Sequence, residues 1–169
     1  MNVIEFEKVN ELLNYNPENG KLQWKKFRAA NAQVGDIAGF VGRDGYVRVK
    51  ILGRSILAHR IAWLLFYKKQ PENEIDHING DRSDNKISNL RSCDRRQNSR
   101  NTATRSDNEC GIKGVGYHKP SGKWRARIYV DGKSKFIGNF LSKHEAKKAY
   151  EAAAKSIYGD FFRRNNGET

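Results

Sequence analysis

The chain has 169 residues, enough for one medium domain or two small ones. Its 32 Lys and Arg against 19 Asp and Glu give a formal charge of +13, and only 37% of residues are hydrophobic, so cores must be small and the surface is drawn to polyanions. The longest apolar run, Ile61 to Tyr67, falls far short of the ~20 residues that cross a bilayer. Glu5, Glu7 and Lys8 stand where a secretory leader would be apolar, and two cysteines, Cys93 and Cys110, are too few for a disulfide framework or a cysteine zinc site.

In chain order, residues 1–57 read as short strands and turns. Asn16-Pro17-Glu18-Asn19-Gly20 is a turn cluster before the strand candidate Lys21 to Lys25. Arg43-Asp44-Gly45 turns into Tyr46 to Ile51, which alternates with period two. Leu52-Gly53 then turns back into Ser55-Ile56-Leu57, a β-hairpin. Ala58 to Lys69 is a short, nearly all-apolar helix, expected to form the core of the N-terminal unit. His59 at its start is read as structural and stays outside the site. Gln70-Pro71 ends the helix. Residues 99–110 carry no aliphatic side chain larger than Ala and read as a linker.

The stretch Ile75 to Asn98 is the most informative and holds the catalytic candidates. Ile75 and Ile78 bracket Asp76-His77 as a strand, an Asp/Asn-rich loop with Gly80 follows, and Ile87 to Leu90 supplies a second strand. Asp94 with Gln97 is a capping-box-like helix start that places Asn98 one turn in, facing back at the first strand. Hydrolysing a phosphodiester needs a base to activate water and positive charge on the phosphate. An imidazole suits the first task. A hard cation suits the second, and it takes few protein oxygens while keeping waters and phosphate oxygens in its shell. Asp76 offers a carboxylate and Asn98 an amide oxygen. Asp84 and Asn85 read as loop anchors. Arg91, Arg95, Arg96 and Arg100 flank the site as candidates for phosphate contact.

The string Asp-His-Ile-Asn-Gly-Asp, then Asp-Asn, Asn-Leu-Arg and the late Asn98, resembles the HNH endonuclease family, in its homing-endonuclease branch with Asn in the last position. The resemblance runs over residues 13–101, because Leu22-Gln23-Trp24-Lys25, Gly45-Tyr46 and Ala58-His59-Arg60 look like that branch too. It implies a ββα-metal (His-Me finger) core with His77 as general base and Asp76 and Asn98 on one divalent metal. Asn89 would be a catalytic-signature residue that braces the His77 loop. Asn in place of the final His favours Mg²⁺, with Mn²⁺ as the substitute, over zinc.

Residues 111–165 form a second module. Trp124, Ala126, Ile128 and Val130 share one strand face, while Arg125, Arg127 and Tyr129 share the other. Gly114 to Lys119 precedes this strand and Lys135 to Gly138 follows it, giving a three-stranded antiparallel meander. Ser142-Lys143-His144-Glu145 is a capping box opening a helix whose stripe is Ala146, Ala149, Tyr150, Ala153 and Ile157. Gly-Lys-Trp, Ile-Gly-Asn-Phe and Glu-Ala-Lys-Lys-Ala-Tyr-Glu-Ala-Ala-Ala resemble the plant ethylene-response-factor (Apetala-type) DNA-binding domain. Gly116 and His118 stand where those domains usually carry arginine, so a DNA-facing sheet is implied but not its base preference.

The expected fold is α+β: a β-rich N-terminal region with the nuclease core over residues 1–101, a linker at 102–110, and a three-stranded antiparallel sheet packed on one helix over 111–165. The expected activity is site-specific, metal-dependent hydrolysis of double-stranded DNA by a cytoplasmic, nucleoid-associated monomer that nicks one strand, with no membrane and no obligatory protein partner. The alternatives are a non-catalytic DNA-binding regulator using the C-terminal sheet, and a metal-dependent RNase.

Overall fold

The computed structural model describes residues 6–29, 32–100, 108 and 110–162, with only the backbone of residues 99 and 100. The chain divides into two compact units, residues 1–98 and 99–169. The expected linker, residues 102–110, lies almost wholly outside the described residues.

The first unit begins with helix α1 (Phe6–Leu12), followed by a small antiparallel hairpin of β1 (Leu13–Tyr15) and β2 (Leu22–Trp24). A three-stranded antiparallel sheet follows in the order β3 (Phe40–Val41), β4 (Val47–Ile51), β5 (Arg54–Leu57). The β4–β5 turn is two residues, Leu52 (φ 53°) and Gly53 (φ 71°), the doubly left-handed turn whose twist matches a hairpin. Helix α2 (Ala58–Tyr67) leaves β5 directly and ends on a left-handed Lys68, two residues before the sequence places its end.

Helix α2 is the wall shared by two cores. Ile61 and Leu64 pack with Val9, Leu13, Leu22, Trp24, Val49 and Ile51. Ala62 instead packs with Ile75 and Leu90, which belong to the antiparallel pair β6 (Glu74–His77) and β7 (Leu90–Cys93). His59 stands three residues before Ala62, so it shares that second face. This is why a histidine on an otherwise apolar helix comes to lie against the end of β6.

Residues 87–90 depart from the expected strand. Ile87–Asn89 form a turn of 3₁₀-helix, and β7 starts only at Leu90. Ile87 and Leu90, three residues apart, suit a three-residue turn that aims both inward, and both join the Ala62 cluster. Helix α3 (Arg95–Arg100) follows, started by the reciprocal cap. The Gln97 amide donates to Asp94 Oδ1 at 2.7 Å, and the Asp94 amide donates to Gln97 Oε1 at 2.8 Å.

The second unit is the antiparallel meander β8 (Val115–His118), β9 (Lys123–Val130), β10 (Lys133–Phe140), with helix α4 (Lys143–Tyr158) across one face. Ala126 and Ile128 are buried against Ala146, Tyr150, Ala154 and Tyr158. The stripe therefore runs in steps of four from Ala146, and Ile157, expected inside, is exposed. Tyr158 takes the inward place because its hydroxyl donates to the Tyr129 carbonyl at 2.5 Å. The Ser142–Glu145 capping box is complete. Among the described residues, no helix is long and apolar enough to cross a membrane.

Candidate active site

The last residues of β6 put Asp76 and His77 side by side at the start of the Asx-rich loop 78–86, both buried. His77 Nε2 lies 3.1 Å from Asn85 Oδ1, while Asn85 Nδ2 donates to the Ser83 carbonyl at 3.1 Å. With its nitrogen spent on Ser83, Asn85 presents only its oxygen to the imidazole. Nε2 must then carry the hydrogen, and Nδ1 holds the lone pair. Asn85, read from sequence as a loop anchor, therefore sets the tautomer of the histidine.

Asn85 is itself clamped from outside the loop. The Tyr15 hydroxyl donates to its carbonyl at 2.7 Å, and the Ile87 amide donates to Pro17 O at 3.2 Å. Gly20 (φ 73°) sits so close that an added Cβ would stand 2.5 Å from Lys86 N and 2.6 Å from Asn85 C. Asn89, also buried, ties the loop at both ends: Oδ1 accepts from the Asn79 amide at 3.0 Å, and Nδ2 donates to Asp84 O at 2.8 Å.

A ring cluster closes the other side of His77. The His59 ring stands edge-on to it, centroids 5.1 Å apart, and Tyr46 lies 5.5 Å from His59 and 5.9 Å from His77. His59 was not legible as a site neighbour from sequence, because only the packing of α2 on β6 brings the two histidines together. Burial, with the neighbouring His77 adding to it, pushes the His59 pKa down to about 3. Burial also lowers that of His77, against the bond to Asn85 and the fields of Asp76, Asp81 and Asp84, which raise it.

Asp76 faces Arg91 across the β6–β7 pair, and its Oδ2 accepts from Arg91 Nε at 2.9 Å and Nη2 at 2.6 Å. Arg91, expected to reach outward to phosphate, is thus turned onto the candidate metal carboxylate. Asn98 on α3 donates Nδ2 to Glu74 Oε2 at 2.6 Å, which leaves the amide oxygen as the donor it offers a cation. Glu74 stands two residues before Asp76 and so on the same side of β6, a signal of strand alternation that the sequence reading passed over. Asp76, Glu74 and Asn98 are hard oxygen donors of the kind Mg²⁺ takes. No group of three His, Cys, Asp or Glu placed to hold a metal occurs among the described residues. Arg95 and Arg96 are exposed on α3. The Arg100 side chain lies outside the described residues.

In the second unit, the outer sheet face carries Arg125, Arg127 and Tyr129. Cross-strand register adds Ser134, Phe136 and Asn139 to the same face. Arg125 donates Nε to Asn139 Oδ1 at 3.2 Å and lies over the Phe136 ring. Tyr129 and Phe136 are 68% and 60% exposed. A groove of about 470 Å³ runs along this face, lined by Arg125, Arg127 and Tyr129 with Gly116 and His118 from β8.

Residues 57–100, which span β5's last residue through α3, match the HNH endonuclease family. A curated relative, an uncharacterised HNH endonuclease of Acanthamoeba polyphaga mimivirus, is 28% identical over 123 residues, covering 72% of this chain. The chain spans 63% of that relative's length. Among solved structures, the DNA-binding and DNA-cleaving HNH homing endonuclease I-HmuI is similar at a TM-score of 0.43 and 19% identity, over 88% of this chain and 82% of the other.

Proposed function

We propose that the chain is a metal-dependent, site-specific endonuclease of duplex DNA, of the HNH homing type, which nicks one strand per monomer. The observation that carries this reading is the imidazole of His77, fixed in one tautomer by Asn85 and set beside Asp76 in the segment that matches the HNH family. Its Nδ1 takes a proton from the attacking water as the water adds to phosphorus. Asp76 and Asn98 are the residues that would hold the cation, with Glu74 fixing the Asn98 amide through its nitrogen. A divalent ion bound there supplies positive charge to the phosphate and the departing 3′ oxygen. Arg91 keeps the Asp76 carboxylate compensated, since a buried carboxylate without a counter-charge is costly.

The outer sheet face of the second unit supplies affinity and sequence reach. Exposed guanidinium and aromatic groups on a flat sheet suit entry into a DNA groove and contact with phosphates. The net charges of +4, +2 and +7 over residues 1–75, 76–108 and 109–169 suit a polyanion along the whole chain.

Incubating a pool of random duplexes with the chain and Mg²⁺, then sequencing the ends, is the direct test. Wild-type protein is expected to leave nicks at a defined site and His77→Ala protein none. Equal cutting by both would remove His77 from the chemistry and sink the assignment. A second reading, a DNA-binding regulator without catalysis, is favoured by one observation: the Arg91 guanidinium already holds the carboxylate a cation would need. Binding of the random pool without metal-dependent cutting by wild-type protein would select it. Cutting of a structured RNA in preference to duplex would select an RNase.

A further inference from the structure

We propose that Arg82 is the guanidinium that grips the phosphate brought to His77, held in place beforehand by the Tyr46 ring. The proposal rests on the nuclease reading above and names a substrate-contacting residue within it.

Two of the cationic side chains in this region are otherwise engaged. Arg91 has Nε and Nη2 on Asp76, with its side chain only 14% exposed. Arg48 donates to Asp44 Oδ2 at 2.6 Å. Arg82, in the loop that follows His77, is exposed, and among the described residues no carboxylate forms an ion pair with it. One of its five N–H groups is used, Nη1 donating to the Asp44 carbonyl at 2.9 Å. The rest of the fork keeps its donors for a ligand.

Its position is fixed at a second point. The guanidinium carbon lies 4.8 Å from the centre of the Tyr46 ring, a cation–π stack. Tyr46 in turn lies 5.9 Å from the His77 ring. The guanidinium carbon is therefore within about 11 Å of the imidazole centre. The two segments come into contact here, since an added Cβ on Gly45 would stand at an ordinary 3.8 Å from Arg82 Cβ. The turn 42–46 and the loop 79–83 thus meet through one carbonyl bond and one stacked pair. An apolar side chain would cover Tyr46 as well, leaving only the Asp44 carbonyl bond as a structural use of the guanidinium. A planar donor fork, pre-ordered by stacking and left without an anion, matches a phosphodiester oxygen pair, and pre-ordering lowers the entropy lost on binding.

The test uses the full chain and the duplex recovered from the random pool, with binding measured over a KCl series and single-turnover nicking measured at saturating protein. Arg82→Ala is expected to lower the steepness of the log affinity against log salt plot by about 0.9, the mark of one lost phosphate contact, and to slow nicking at least tenfold. Arg82→Lys is expected to keep the salt slope while losing part of the rate, because the charge stays and the fork goes. Tyr46→Phe should match wild type, and Tyr46→Ala should reproduce the rate loss of Arg82→Ala. Unchanged thermal midpoints identify these as effects on the site. Arg82→Ala with the wild-type salt slope and rate would overturn the proposal, and Tyr46→Ala with wild-type rate would overturn the holding role of the ring. Should wild-type protein bind but cut nothing, the nuclease reading fails, while the salt slope of Arg82→Ala still decides the phosphate contact.

Discussion

An imidazole serves as a base only when its lone pair is presented in one direction, and at His77 that direction is decided by a neutral amide. Asn85 cannot rotate to offer its nitrogen, because that nitrogen is held by Ser83 O. Removing the amide leaves Nε2–H buried without its acceptor, which costs about 1–3 kcal/mol of stability, and lets the ring change tautomer. Asn85→Ala is therefore expected to slow single-turnover nicking by about a hundredfold, the lower range of what a positioned base contributes, with DNA affinity within twofold of wild type. Rate and affinity measured on the same duplex check this; a rate loss matched by an equal affinity loss would point to a collapsed loop.

The paired histidines also make the fold sensitive to acid. His59, with a folded pKa of about 3, and His77, also lowered, are neutral in the native chain. Both bind protons more readily when unfolded, at an ordinary value near 6.5. Between about pH 6.5 and pH 3 the unfolded chain thus holds more protons, so stability rises with pH there and is lost as pH falls through that window. His59 contributes at most about 1.4 kcal/mol per pH unit within it, and His77 acts in the same direction. Urea unfolding at pH 7 and pH 5 should show a steep loss for wild type and a shallower one for His59→Phe, which keeps a ring against His77 without the proton. Identical slopes would mean that His59 is not buried as described.

At the scale of elements, what the sequence disclosed and what it withheld divide along locality. The capping pairs Asp94/Gln97 and Ser142/Glu145, the β4–β5 hairpin and the alternation of β9 are set by residues within a few positions of each other, and all were legible. The 3₁₀ turn at 87–89 was not, because two apolar residues three apart suit either a turn or a strand until Ala62 is known to face them. Tyr158 replaces Ile157 in the α4 stripe for the same reason, its partner carbonyl lying on another element. In the candidate site, Asp76, His77 and Asn98 were singled out by the extended string and its family resemblance, whereas His59, Tyr46 and Glu74 join it only through tertiary contact. The β1–β2 hairpin is the strongest case: nothing in its residues hints that it presses on the loop behind the histidine. Gly20→Ala tests that link. The new methyl would overlap the backbone of Asn85 and Lys86, and glycine's φ of 73° would strain any replacement. Nicking should fall with thermal stability, and a duplex contact measured by the salt slope should not change.

At the scale of the molecule, two units each bury their own core, Val9 to Leu64 in one and Ile112 to Tyr158 in the other. Each therefore has the means to fold alone, and all the candidate catalytic side chains belong to the first. Under the proposed function, tethering the sheet face of the second unit to it would raise local concentration on the duplex without adding a reacting group. A fragment ending at Arg105 is accordingly expected to keep metal-dependent nicking at high protein concentration. If the full chain contacts ~6 phosphates, its log–log salt slope is near −5, and the fragment's is shallower in proportion to the contacts it forfeits. The variant pair Arg125→Ala, Arg127→Ala in the full chain should move the slope part of the way, because those two guanidiniums stand on the exposed sheet face. If the fragment loses cutting at every concentration while remaining folded, the second unit supplies something the reaction itself needs, and the division of labour between chemistry and affinity is wrong.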